Sequence, residues 1–125
     1  MKQAKQGFTL IELLVVLSII ALLLTIAVPR YFNALDKSRE AVLRDNLRVL
    51  RQCIERYQAD TGHYPETLQT LVEAKYLKAV PVDPITESDH SWRLSQGDQP
   101  GEEGIVDVHS GADGKARDGL AYADF

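Results

Sequence analysis

The chain has 125 residues, 14 of them basic and 18 acidic, for a net charge of −4. That length allows one modest domain. The acidic balance, with a pI near 5.3 and no basic stripe, argues against a nucleic-acid surface, and a single cysteine, Cys53, excludes an intrachain disulfide.

The chain begins with a short basic leader, Lys2 and Lys5, that ends at Gly7. Phe8 to Val28 follows as 21 residues whose only charge is Glu12. As a helix this run is about 30 Å long, the thickness of a bilayer's hydrocarbon core. Ser18 and Thr25 can bond back to the helix, and Pro29 is expected to end or kink it. The run is too long for an ordinary signal peptide. A plain anchor leaves Glu12 unexplained, because a carboxylate in a bilayer helix costs roughly 2.5–3.5 kcal/mol and asks for a partner. Lys2 and Lys5 favour a cytoplasmic N-terminus. Arg30, Lys37 and Arg39 beyond the run make that charge signal equivocal.

From Tyr31 to about Ala59 the helical pattern continues. Leu43, Leu47, Leu50, Ile54 and Tyr57 fall on one stripe, which reads as core packing. Cys53 beside it reads as a small buried hydrophobe. Gly62 stops the helix, and His63 reads as an exposed turn residue. Thr67 to Leu77 reads as a short second helix that covers a sheet with Leu68, Leu71, Val72 and Leu77. Pro81 and Pro84 enforce an extended loop. Ser91–Ser95 and Gly104–Ser110 are strand candidates, joined by a polar hairpin loop. A two-stranded sheet is marginal alone and is expected to pack on the long helix, giving an α+β domain.

The last sixteen residues, Ser110 to Phe125, are too irregular for a strand or helix and end on an aromatic. Asp113, Asp118 and Asp124 lie within twelve positions among glycines. This composition suits a solvated turn. It also suits a hard cation such as calcium, which takes carboxylates and backbone carbonyls. It is not an EF-hand, since Lys115 and Arg117 stand where acids are needed. No Ser/His/Asp arrangement, phosphate loop or metal-hydrolase spacing is present, so the chain reads as non-enzymatic.

The run Gly7-Phe8-Thr9-Leu10-Ile11-Glu12 with its apolar tail resembles the prepilin signal of type IV pilins and type II secretion pseudopilins. The run Asp107 to Gly114, then Asp118-Gly119 and Tyr122 to Phe125, resembles the C-terminal loop of major pseudopilins. The resemblance implies a type IV pilin-like α+β fold: a long N-terminal helix packed on a small antiparallel sheet, with an irregular C-terminal loop. It implies three segments: a leader, 1–7; a transmembrane and assembly half-helix, 8–30; and a periplasmic globular domain, 31–125. It implies cleavage between Gly7 and Phe8 by a prepilin peptidase, N-methylation of Phe8, and Glu12 neutralising the Phe8 amine of a neighbouring copy. It implies a structural calcium ion at Asp113, with Asp118, Asp124 and Ser110 as further ligands, closing the loop that related pilins staple with a disulfide.

The implied role is a subunit that waits in the lipid of the bacterial inner membrane and then forms a homopolymer, a periplasmic pseudopilus that drives protein export. Its implied partners are minor pseudopilins, an inner-membrane platform protein and an assembly ATPase, with no nucleic acid. The first alternative is a type IV or competence pilin of a surface filament. The second is a membrane-anchored solute-binding or sensor module.

Overall fold

The structure, a computed structural model, describes residues 6–125; Lys2 and Lys5 of the leader lie outside them. In chain order the elements are α1, Leu10–Thr61; α2, Leu68–Glu73; β1, Arg93–Gln96; and β2, Ile105–His109, followed by a 3-10 turn at Tyr122–Asp124. The architecture is the expected α+β one, a long helix and a two-stranded antiparallel sheet. Contacts divide the chain between Asp36 and Lys37, and each unit is taken by itself.

In the first unit, α1 is long and apolar enough to cross a membrane. Its large apolar side chains are exposed all round, from Leu10 to Val28. The two hydroxyls inside the run are satisfied locally: Ser18 Oγ donates to Leu14 O at 2.7 Å, and Thr25 Oγ1 to Leu22 O at 2.6 Å. Pro29 sits within α1 and does not end it, in keeping with the helical pattern that runs on beyond it. Proline removes one backbone donor and crowds the preceding turn.

In the second unit the apolar stripe of α1 is buried as expected. Leu43, Leu47, Leu50 and Ile54 are at most 1% exposed. They pack with Tyr57, with Leu68 and Leu71 of α2, with Ile105 and Val108 of β2, and with Trp92, Ala116 and Phe125. Gly62, at φ 82°, takes the left-handed conformation that closes α1, its N–H reaching Gln58 O at 2.8 Å. His63 is exposed, as expected, with its ring edge-on to Tyr57 at 5.6 Å.

α2 is shorter than the sequence suggests. Thr67 caps its start by accepting from Thr70 N–H at 3.1 Å. Its end comes early because Lys75 adopts φ 66°, and the N–H groups of Tyr76 and Leu77 turn back to Leu71 O. β1 starts two residues later than expected. Ser91 is held by Thr86 at 2.6 Å, and Trp92 donates to Pro81 O at 2.8 Å while its ring enters the core. The register pairs Arg93 with His109, Leu94 with Val108, Ser95 with Asp107 and Gln96 with Ile105, with an irregularity after Ser95. Ile105 N–H donates to Pro65 O at 2.8 Å, which ties the start of β2 to the segment after α1. Gly104, at φ 117°, allows that approach, since a Cβ there meets Tyr64 O and Pro65 O at 2.8 Å.

Candidate functional site

Two places carry the candidate residues. The first is the start of α1. Gly7 and Phe8 precede the helix, and both are exposed. Thr9 Oγ1 accepts from Glu12 N–H at 3.1 Å, and Thr9 N–H donates to Glu12 Oε2 at 2.9 Å. This reciprocal pair is a capping box, which satisfies two of the helix's unpaired N–H groups. The carboxylate also lies where the helix dipole is positive. The Thr-x-x-Glu spacing was legible in the sequence, but read for its charge alone it showed no local partner for Glu12. The structure supplies one, Thr9, the second residue after the Gly7–Phe8 bond.

The second place is the C-terminal loop, where the four expected ligands part company. Ser110 is fully buried; its hydroxyl donates to Asp83 Oδ2 at 2.5 Å and accepts from Ala112 N–H at 3.1 Å. Asp118 pairs with Arg44 at 3.1 Å and accepts from Leu120 N–H at 3.0 Å. That N–H, reinforced by Arg44 and opposed by partial burial, holds the Asp118 carboxyl below the usual aspartate range. Asp113 and Asp124 are exposed. Among the described residues no group of three or more His, Cys, Asp or Glu side chains is placed to hold a metal ion. The Ser110 hydroxyl and the Asp118 carboxylate each already hold a protein partner. The set does not fit calcium as the resemblance implied it.

The loop is instead tied inward. Its chain closes on itself through Tyr122 N–H to Gly114 O at 3.2 Å and a bridge between Lys115 and Ala121. Arg51 of α1 donates to Asp107 Oδ1 at 2.8 Å, to Val108 O at 2.8 Å and to the Phe125 main-chain oxygen at 2.7 Å. His109 lies between Asp107, at 3.2 Å, and that same Phe125 oxygen, at 3.0 Å. Burial pushes the Asp107 carboxyl up, but the Val108 N–H, Arg51 and His109 outweigh it and hold it below the usual range. Arg44 covers the Phe125 ring at 4.5 Å from its centroid.

Asp83 is a residue the sequence reading passed over. It is fully buried, bonded to Ser110 and, through Oδ1, to Ile85 N–H at 2.8 Å. The Pro81-Val82-Asp83-Pro84 run marked a loop, and nothing in it signalled a buried carboxylate. Cys53 is half-buried, and burial, partly offset by Arg56, raises its thiol pKa; its Sγ lies 3.4 Å from Tyr76 O.

Known proteins match both halves of this layout. The prokaryotic N-terminal methylation motif matches residues 2–28. The family described as type II secretion system protein G matches residues 30–124. The chain belongs to that protein G family. Among its relatives, core protein G of the type II secretion system from Pseudomonas aeruginosa is 31% identical over 91% of this chain and 88% of its own length. The core protein G of Vibrio cholerae is 32% identical over 91% and 86%. The type IV major fimbrial protein FimA of Dichelobacter nodosus is 32% identical over 85% of this chain but only 62% of its own length. No solved structure matches significantly. Family membership gives this chain the structural role of a pseudopilin, with its apolar helix as the membrane anchor.

Proposed function

We propose that this chain is cut between Gly7 and Phe8, is N-methylated on Phe8, and polymerises from the inner membrane into a periplasmic pseudopilus. The observation that carries the reading is an apolar helix exposed along its whole first half, with one carboxylate, Glu12, at its start. A surface of that kind is covered by lipid before assembly and by other copies afterwards. Cleavage frees a charged amine on Phe8, which needs an anionic partner inside an apolar bundle. Glu12 of a neighbouring copy supplies it, giving up its exposed local bond to Thr9.

A prepilin peptidase, minor pseudopilins, a platform protein and an ATPase complete the proposed machinery. The residue divisions are likewise a proposal: leader 1–7, assembly half-helix 8–30 and periplasmic domain 31–125. Glu12→Ala is expected to leave insertion and cleavage intact and to abolish filaments, read as sheared fibres from cells carrying the secretion system. Wild-type filament yield from that variant sinks the assembly role. The similarity to the fimbrial protein favours one second reading, a surface filament. Fibres outside cells at native expression select it.

A further inference from the structure

We infer that the C-terminal loop of this chain is locked by two guanidinium groups of α1 in place of a metal ion. The inference concerns how the loop folds and is independent of polymerisation. A calcium clip works by supplying positive charge to carboxylates and carbonyl oxygens that converge from separate parts of a loop. Here Arg44 and Arg51 supply that charge from the helix. Arg44 takes the Asp118 carboxylate at 3.1 Å and covers the Phe125 ring. Arg51 takes one carboxylate and two main-chain oxygens, those of Asp107, Val108 and Phe125. One oxygen comes from the last residue of the loop and two from the strand that leads into it. That is the job of a bridging cation: it joins the two ends and removes the closure cost.

The chemistry suits arginine. Its planar fork directs several N–H donors at fixed angles, and its charge does not titrate away. Both residues lie on α1 seven positions apart, about two full turns, so they face the loop from the same side of one rigid element. Ser110 is removed from any ion by Asp83, which is buried and also holds Ile85 N–H. A ligand spent in a buried hydrogen bond is costly to recover. Asp118 is likewise spent on a partner that already carries a positive charge.

The test uses the full chain in detergent, unfolded by heat and followed through Trp92, the single tryptophan. Midpoints are compared in excess calcium, excess magnesium and chelator. The expected result is one midpoint in all three. A calcium-specific rise of several degrees that disappears in Asp113→Asn overturns the inference.

The positive arm is limited proteolysis of the loop. Arg51→Met and Arg44→Gln are each expected to raise cleavage between Ala112 and Phe125 by roughly fivefold or more, because local opening governs cleavage. Arg44 is itself half-exposed, and unchanged Trp92 emission will show that Arg44→Gln retains the fold. Arg51→Lys keeps the charge but loses the fork, and is expected to restore only part of the protection. Wild-type cleavage rates in both Arg44→Gln and Arg51→Met overturn the inference.

Discussion

The two halves of α1 use the same residue for opposite purposes. Leu22 in the first half is 65% exposed, whereas Leu50 in the second is 0% exposed. Both are leucines in one helix. The difference lies in the neighbours. The first half is apolar on every face, so no single surface can be buried against a small sheet. The second half confines its leucines to one stripe and puts Asp45, Arg48 and Glu55 elsewhere. Apolar surface that the subunit itself does not cover is surface reserved for lipid or for another copy, and that separates an anchor from a core.

The largest effect expected from this contrast comes from cutting a leucine on each side of it. Leu50→Ala is expected to cost about 2–5 kcal/mol, through lost burial and the cavity left behind. Leu17→Ala is expected to leave the unfolding of the second unit unchanged. Denaturant titration of the full chain in detergent, followed through Trp92, reads both. Equal losses would mean that the two halves do not differ as described.

Asp83→Ala comes next. It strands the Ser110 hydroxyl and the Ile85 N–H in the interior, at a cost of roughly 1–3 kcal/mol. The same titration detects it, and an unchanged midpoint would show that the buried carboxylate contributes nothing to the second unit.

In the first half a cap replaces packing. Thr9→Ala removes the hydroxyl of the capping box and is expected to loosen the helix start by about 1 kcal/mol. Faster amide exchange at Leu10 to Glu12, with none at Leu47 to Ile54, is the expected signature.

The smallest effect is on acid stability. Asp107 is held below the ordinary aspartate value of 3.8 in the folded state. Its contribution is therefore complete above that value and is lost as pH falls through the lower native one. Asp107→Asn is expected to flatten the decline in melting temperature under acid conditions, and an unaltered slope would place that proton elsewhere.

Much of this was legible in the residues. The anchor announced itself because hydropathy is a local property, and membrane length is set by residue count. The core stripe at Leu43, Leu47 and Leu50 followed from helical spacing alone, and Gly62 marked the helix end. Boundaries were harder to read. α2 ended early because of the backbone conformation of Lys75, and β1 moved two residues along because Trp92 was claimed by the core. The helix running through Pro29 was legible too, because the helical pattern resumes directly after it.

The C-terminal loop was legible only as composition. Three aspartates among glycines fit a solvated turn first and a cation second. The outcome depended on partners 74 residues away in sequence: Arg44 for Asp118, and Arg51 for Phe125. Asp83 is likewise defined by Ser110, 27 residues on.

Short-range order — helix, anchor, cap and stripe — is written in spacing, because each residue meets its neighbours three or four positions away. Which charges meet across the fold is settled only when a helix, a strand and a loop pack around one core, and in this chain the packing brought arginines to the loop's oxygens.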